Sequence, residues 1–324
     1  MNNRILIGNS FDPWRNLALE ELLFVSQPPD GLTLYLWQNQ NTVVIGKHQN
    51  AWRECRTQLL EQEGGRLARR SSGGGAVFHD LGNLNFTFLA PHPLYQVPRQ
   101  LAVIQKAVSS FGIRTCFTGR NDLVVDSGEK FSGNAFRQNN AFGLHHGTLL
   151  VDADLARLAR YLAPSPEKLA SKGVKSVRSR VVNLKSLQPS LSISAMKQAL
   201  CSAFEEEYTD ATILSEQDLD LSRLPALQEK YASWEWRMGK SPSFGLSLEH
   251  RFEWGSIELH FDLAEGNIQE AHVYSDAMDE AMVDLVAPAL IGARFSSREL
   301  ARRLRELCYP QLDELADFVE AKGF

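Results

Sequence analysis

The sequence predicts an α+β fold: a large domain built on a mostly antiparallel sheet with packed helices, followed by a small α+β unit. Three observations carry this. Between residues 32 and 152, short runs rich in Val, Leu, Phe and Thr alternate with glycine and Asn/Asp turns, which is the pattern of strands. Apolar residues at helical spacing frame those runs on both sides. A composition shift at "GKSPSFG", Gly239 to Gly245, reads as a linker, and strand and helix patterns start again beyond it.

The elements follow in order. Leu17, Ala18, Leu22, Leu23 and Phe24 fall at helical spacing after Asp12-Pro13, so Trp14 to Ser26 reads as a helix capped by Asp12. Pro28-Pro29-Asp30-Gly31 forces a turn. "LTLYLWQ" and "TVVIGKHQ", joined by Asn39-Gln40-Asn41, read as a β-hairpin. "GRLARRS", "AVFHD" and "LNFTFLA" make three short strands separated by glycine turns, and a helix runs from about Pro98 to Phe111. "DLVVD", "EKFSGNAFR" and "GLHHGTLLVD" are further antiparallel strands, followed by helices around Leu155 to Leu162 and Ile193 to Tyr208. Past the linker, "EHRFEWGSIELHFDLAEGNIQEAHVYSD" gives three alternating strands, with Glu265-Gly266-Asn267 as the turn between the last two. Helical patterns run from about Met278 onward. The expected domains are 1–240 and 247–324, with the linker at about 241–246.

Composition narrows the function classes. With 34 Lys+Arg against 39 Asp+Glu the chain carries a net charge of −5, so neither a basic excess nor a basic tail points to nucleic acid or a membrane surface. Cys55, Cys116, Cys201 and Cys308 are far apart and show no CxxC spacing, which argues against a zinc site or a disulfide framework and for a reducing compartment. The opening stretch lacks a basic region followed by a long apolar run, and no apolar run approaches the roughly 18 residues of a span. The expectation is a cytoplasmic protein.

The chemistry concentrates in a few stretches. In "RRSSGGGAVFHDLGN", Arg69 to Asn83, three glycines sit between strands, so this is not a P-loop, which needs GxxxxGK[ST] before a helix. Consecutive glycines cost backbone entropy. They make either a hairpin turn or a place where a ligand lies along bare N–H groups. Arg70 beside them brings a guanidinium matched to carboxylate or phosphate oxygens, whereas His79 alone on a strand reads as structural. In "GRNDLVVDSGEKFSGNAFR", Asn121 and Asp122 suit a hydrated Mg²⁺ or ribose hydroxyls, and Lys130 precedes Ser132-Gly133. In "HHGTLL", His145 and His146 point to opposite faces of a strand and so cannot chelate one metal together. "KGVKSVRSRVVNL" carries Lys172, Lys175, Arg178 and Arg180, either as a basic surface loop or as a phosphate clamp.

Together, "RRSSGGGAVFHDLGNLNFTF", "GRNDLVV", "KFSGNAFR", "HHGTLL", "KGVKSVRSRVVNL" and the tail "WEWRMGKSPSF…FEWGSIELHFD" resemble the lipoate–protein ligase A family, two-domain bacterial type, over nearly the whole chain. The resemblance implies the catalytic fold shared with biotin ligases and a two-step reaction. Lipoate and ATP, with Mg²⁺, give lipoyl-AMP and pyrophosphate; a lysine of an acceptor lipoyl domain then takes the lipoyl group. Implied acceptors are the E2 subunits of 2-oxoacid dehydrogenases and the glycine-cleavage H protein, and the enzyme is expected to be a monomer. By the same resemblance Lys130 and Arg70 are the catalytic cations. Gly75, Ala76, Val77, Phe78 and His79, with Asn83, Asn121 and Ala135, run along the nucleotide. Asp122 sits near the phosphate and its metal. Lys172, Ser176, Val177 and Arg178 belong to an adenylate-binding loop. Leu17, Val44 and His146 line the acyl chain, with Ser72, Gly73 and Gly74 beside it. Related activities in this fold are a lipoyltransferase using preformed lipoyl-AMP and an octanoyltransferase; no cysteine falls in a motif, which counts against a cysteine-dependent transferase. A biotin ligase would carry Gly-Arg-Gly where this chain has Ser-Gly-Gly-Gly, and a non-catalytic lipoate binder could dispense with Arg70, Lys130 and Asp122.

Overall fold

The computed structural model describes the chain except for residues 1, 50, 119–120, 163–180, 239–245, 265–266 and 323–324. By contacts it divides into two compact units. The first comprises Met1–Ile45, Ala51–Arg70 and Ala76–Arg237; the second comprises Gly46–Asn50, Ser71–Gly75 and Met238–Phe324.

The first unit contains strands β1 (Asn3–Ile7), β2 (Thr33–Trp37), β3 (Thr42–Ile45), β4 (Arg66–Arg69), β5 (Val77–His79), β6 (Asn83–Pro91), β7 (Thr115–Thr118), β8 (Asp122–Val125), β9 (Lys130–Gln138), β10 (Phe142–Leu150) and β11 (Ala211–Leu214). Eight of them form one sheet in the order β11-β1-β2-β6-β10-β9-β8-β7, and β4-β3-β5 form a small second sheet. Pairing is antiparallel from β2 through β7. The β1–β2, β1–β11 and β3–β4 pairs are parallel.

Side-chain alternation sends each strand's residues to two cores. On β2 and β6, Leu34, Leu36, Leu84, Phe86 and Phe88 face a core shared with helices α2 (Val97–Ser109) and α4 (Ile193–Tyr208), while α3 is Leu155–Tyr161. Tyr35, Trp37 and Leu89 face a second core built on helix α1 (Pro13–Val25) and helix α5 (Leu224–Ala232). A strand buried on both faces reads as an unbroken apolar run, which is why "TLYLW" shows no polar alternation. Helix α1 starts where the sequence places it. Asp12 accepts hydrogen bonds from the backbone N–H groups of Trp14 and Arg15 at 2.9 and 3.0 Å, and Pro13 occupies the first turn.

The expected hairpin of "LTLYLWQ" with "TVVIGKHQ" does not form. Strand β2 pairs with β1 and β6, and β3 pairs with β4 and β5. Both strands are buried along their whole length, so each needs a neighbour on either side, and a two-stranded ribbon would leave those edges open. Asn39–Asn41 instead carries the chain from one sheet to the other, with Asn41 at φ 45°.

The second unit carries an antiparallel sheet of β12 (Leu246–Phe252), β13 (Gly255–Ala264) and β14 (Asn267–Ser275). Helices α6 (Glu280–Leu290), α7 (Ser297–Arg305) and α8 (Pro310–Ala321) pack with it around Ile257, Leu259, Phe261, Val286, Leu300 and Leu315. The expected turn at Glu265-Gly266 and linker at Gly239–Gly245 lie outside the described residues. Among the described residues no helix is long and apolar enough to cross a membrane.

Candidate active site

Of the candidate residues, Asp122, Lys130, Ala135 and His146 share one face of the large sheet. Strand register sets Tyr35 opposite Thr87, Thr87 opposite His146, and His146 opposite Ala135, a row of four strands on the α1 side. The next row along β2, β6 and β10 is Trp37, Asn85 and Thr148. His145 faces the other way, its Nε2 2.8 Å from Oδ1 of Asn134, so the two histidines do sit on opposite faces.

Lys130 reaches this face through an irregularity. Asp122 pairs with Gly133 and Leu123 with Ser132, yet Val124 pairs with Lys130, so Phe131 is an extra residue on β9. Strict alternation would put Lys130 on the side of Ser132 and Asn134. The bulge turns it to the side of Gly133 and Ala135 while Phe131 drops into the α2–α4 core. There Nζ of Lys130 lies 2.6 Å from Oδ1 of Asp122, with both side chains about one-third exposed. Gly133 makes the room, because a Cβ at that position would stand 2.8 Å from Nζ. Asn121 contributes its backbone carbonyl, which accepts from the backbone N–H and side-chain Nδ2 of Asn134 at 2.8 and 2.9 Å.

Behind this face lies a buried polar cluster. Trp37 Nε1 donates to Thr87 Oγ1 at 3.0 Å, and that hydroxyl donates to Glu20 Oε1 at 2.6 Å. His146 Nδ1 donates to the same Glu20 oxygen at 2.8 Å. Glu20 is only 1% exposed, a position that a carboxylate tolerates when it is hydrogen-bonded and flanked by cations. Arg70 supplies one: it is 6% exposed, burial lowers its pKa to about 10, and Glu20 opposes that drop, so it stays charged at neutral pH. His79 is pushed down to about 3, first by burial and then by Arg70 and His146, so its ring is neutral. Leu17 and Val44 meet in the apolar cluster under α1 and are essentially unexposed.

The three glycines answer to different demands. The side-chain space of Gly73 is taken by the Ala277 carbonyl oxygen, 2.3 Å from where a Cβ would be. Gly74 adopts φ 88°, which favours glycine, and its N–H donates to the same Ala277 oxygen at 3.0 Å. Gly75 faces open space. Ser72 is buried, and its carbonyl accepts from the Lys47 N–H at 2.9 Å. Ala76 and Val77 are half-buried; Phe78 is buried against Tyr161, with ring centroids 5.3 Å apart. Asn83 Nδ2 donates to Asn85 Oδ1 at 2.9 Å, leaving Asn83 Oδ1, Asn85 Nδ2 and His79 Nε2 buried with no partner among the described residues.

Lys172, Ser176, Val177 and Arg178 lie outside the described residues. The flanking residues are described: Leu162 bridges to Cys55 and Val181 to Lys130. Among the described residues no group of three or more His, Cys, Asp or Glu could hold a metal ion, so Asp122 stands as a single carboxylate.

Glu20, Thr87, Asn85 and Thr148 do not stand out in the sequence. Asn16 and Glu20 are four residues apart on a helix whose other buried residues are apolar, which is a visible sign of a buried polar pair. Asn83, Asn85 and Thr87 alternate on a strand that has no solvent-facing side, a sign legible only once both faces are known to be covered.

Residues 12–205 match the family model described as the lipoyl protein ligase A/B catalytic domain. Residues 241–321 match the bacterial lipoate protein ligase C-terminus. Plasmodium falciparum LipL1, solved in complex with lipoate, is 27% identical at a TM-score of 0.87, covering 99% of this chain and 100% of that one. The bi-partite lipoate protein ligase of Thermoplasma acidophilum, described with its E2 lipoyl domain, is 28% identical at a TM-score of 0.66, covering 76% of this chain and 100% of that one. A lipoate-protein ligase A bound with ATP is 26% identical at a TM-score of 0.62, covering 74% of this chain and 99% of that one.

Proposed function

This chain is a ligase enzyme belonging to the lipoyl protein ligase A/B family, and from that premise we propose that it activates lipoate with ATP and passes the lipoyl group to a lysine of an acceptor lipoyl domain. The observation that carries the reading is the β9 bulge, which turns Lys130 from the core side of the sheet to the side holding His146 and Ala135. A bulge spent on aiming one ammonium is hard to explain by stability alone.

The first step brings a carboxylate against the α-phosphate of a polyanion. The carboxylate oxygen bonds to phosphorus, the bond to the bridging oxygen breaks, and pyrophosphate leaves with the electron pair. Negative charge builds on phosphoryl oxygens, so fixed cations and N–H donors in a water-poor place lower the barrier. Lys130 and Arg70 are proposed to supply the charge, Lys130 as a clamp rather than a nucleophile. Leu17, Val44 and His146 line the acyl chain, where each buried methylene contributes about 0.8 kcal/mol, and Ser72, Gly73 and Gly74 flank it. Gly75 to His79, with Asn83, Asn121 and Ala135, hold the nucleotide. The unpaired buried atoms of His79 and Asn83 suit a polar ligand of this kind. Asp122 fits Mg²⁺, which often takes one protein carboxylate and fills its shell from phosphate and water. Lys172, Ser176, Val177 and Arg178 are proposed to contact the adenylate.

In the second step the acceptor lysine's neutral amine attacks the acyl carbonyl. The C–N bond forms, the C–O bond to AMP breaks, AMP leaves with the electron pair and the nitrogen releases a proton to solvent, so no protein nucleophile is needed. The proposed acceptors are E2 lipoyl domains and the glycine-cleavage H protein. A pyrophosphate-release assay with ATP, Mg²⁺ and lipoate, octanoate or biotin tests the reading. Release with lipoate and not with biotin is expected, whereas a transferase or a simple binder releases none.

A further inference from the structure

His79 sits at the end of a chain of amides whose orientations are fixed by what each one faces. Asn16 Nδ2 lies 3.1 Å from the Ser10 carbonyl and 2.8 Å from the Gln38 carbonyl, and both of these groups can only accept. The same nitrogen lies 2.9 Å from Asn39. An amide nitrogen cannot accept, so Asn39 must present Oδ1 there. Asn39 Nδ2 therefore points the other way, 3.2 Å from Nδ1 of His79. An amide NH₂ offers only hydrogens, so Nδ1 is the bare, accepting nitrogen and the ring proton resides on Nε2. Asn16, Asn39 and His79 are 1%, 0% and 3% exposed, so bulk solvent does not compete for these hydrogen bonds.

The proton-bearing Nε2 is itself buried and has no partner among the described residues. A buried donor without a partner is destabilising, and a site that keeps one is ready for a ligand acceptor. Trp37 holds the ring edge-on with centroids 6.3 Å apart. The titratable groups acting on the ring are Arg70 and His146, with Glu20 bonded to His146. Beside Arg70 a charged imidazolium would be repelled, whereas a neutral N–H adds a hydrogen bond and neither gives up nor takes up a proton near neutral pH.

We propose that Asn16 and Asn39 are positioning residues that hold His79 as its Nε2–H tautomer, making the ring a fixed neutral donor to an acceptor-only carboxyl or phosphoryl oxygen of the bound reactants. The identity of the reactants rests on the ligase reading; the tautomer does not.

The test uses the full chain with ¹⁵N-labelled histidine, followed by two-bond ¹H–¹⁵N spectra over about pH 5 to 8. The wild type is expected to show a non-titrating Nε2–H ring for His79. Asn39→Asp, which replaces the donor by an acceptor, is expected to move the proton to Nδ1 or make the ring titrate in that range. A wild-type ring in the Nδ1–H form overturns the proposal. Lipoate alone and AMP alone are then added to the wild type. A shift at Nε2 with lipoate assigns the oxygen to the carboxyl group, a shift with AMP assigns it to the phosphoryl group, and no shift with either overturns the donor role. In the pyrophosphate assay His79→Leu is expected to lose about a hundredfold. His79→Gln, which keeps an N–H near the Nε2 position, is expected to restore part of that loss, and wild-type rates for His79→Leu contradict the role. If the wild type releases no pyrophosphate, the ligase reading fails while the spectra still decide the tautomer.

Discussion

Lys130 and Gly133 act as one device at the scale of the residue. The ammonium lies over a glycine because any Cβ there would stand 2.8 Å from Nζ. Lys130→Ala is expected to cut adenylate formation by a hundredfold or more, since removing one preorganised charge costs on the order of 3 kcal/mol. The side chain is about one-third exposed, so melting should barely change. A large drop in melting temperature would make Lys130 structural instead. Gly133→Ala is expected to slow the same step without unfolding the chain, because the group it meets is the far end of a flexible side chain that can swing away. Unchanged rates in that variant would show that the ammonium's place is not critical. Two buried histidines make a separate, pH-dependent prediction. Burial is the main cause that pushes both His79 and His145 from 6.5 down to about 3. Between those values the unfolded chain binds protons that the fold refuses, so stability falls as pH drops below about 6.5, by up to about 1.4 kcal/mol per pH unit for each ring. Urea unfolding midpoints at pH 7 and pH 5 check this; equal midpoints would mean that neither ring is held neutral.

At the scale of the element, the β9 bulge decides which side of the sheet Lys130 serves. Inserting one residue between Leu123 and Val124 gives Phe131 a partner on β8, restores strict alternation and would turn the ammonium toward Leu123, Leu149 and the rest of the α2–α4 core. An unpaired charge there is costly, so the insertion is expected to destroy activity and destabilise the fold together. Phe131→Leu keeps the residue count and therefore the aim. It should lose stability but retain most of its activity per folded molecule, and an equal loss of activity in both variants would refute the steering role. Sequence periodicity announces strand β9 but not its bulge, because one extra residue leaves the local pattern unchanged. The same limit explains the hairpin that did not form: "LTLYLWQ" and "TVVIGKHQ" are both strands, but nothing local names their partners. Strands β1 and β11 pair in parallel across some 200 residues of sequence, a relation that no window of neighbouring residues contains. Helix α1, by contrast, was readable down to its Asp12 cap, because caps and apolar stripes are local physics. Arg70 and Lys130 stood out by their glycine neighbours. Asn16, Glu20 and Asn39 did not, since a buried polar group announces itself only through what surrounds it.

For the whole molecule, the grouping by contacts places Ser71–Gly75 and Gly46–Asn50 with the C-terminal residues, although the chain enters the glycine stretch directly from Arg70. Within that unit Gly74 N–H donates to the Ala277 carbonyl, the Ser275 N–H donates to the His48 carbonyl, and Lys47 pairs with Asp284. The unit is acidic: residues 247–324 hold seven basic against sixteen acidic side chains, so a basic partner such as Lys47 is well matched to it. The stretch that the sequence marks as chemical is therefore also a structural strap of the small unit, and its glycines should separate the two roles. At Gly73 a Cβ would meet the Ala277 carbonyl oxygen at 2.3 Å and the Met278 carbonyl oxygen at 3.1 Å, main-chain atoms that cannot swing aside. Gly73→Ala is therefore expected to destabilise this unit by about 1–3 kcal/mol, the usual cost of overpacking, and to lower its melting temperature by several degrees. Gly75→Ala meets nothing within 4 Å and should leave melting unchanged, whatever it does to turnover. Differential scanning calorimetry of the two variants beside the parent decides the matter, and equal melting for all three would mean that the glycine stretch is not fastened to Ala277 in solution.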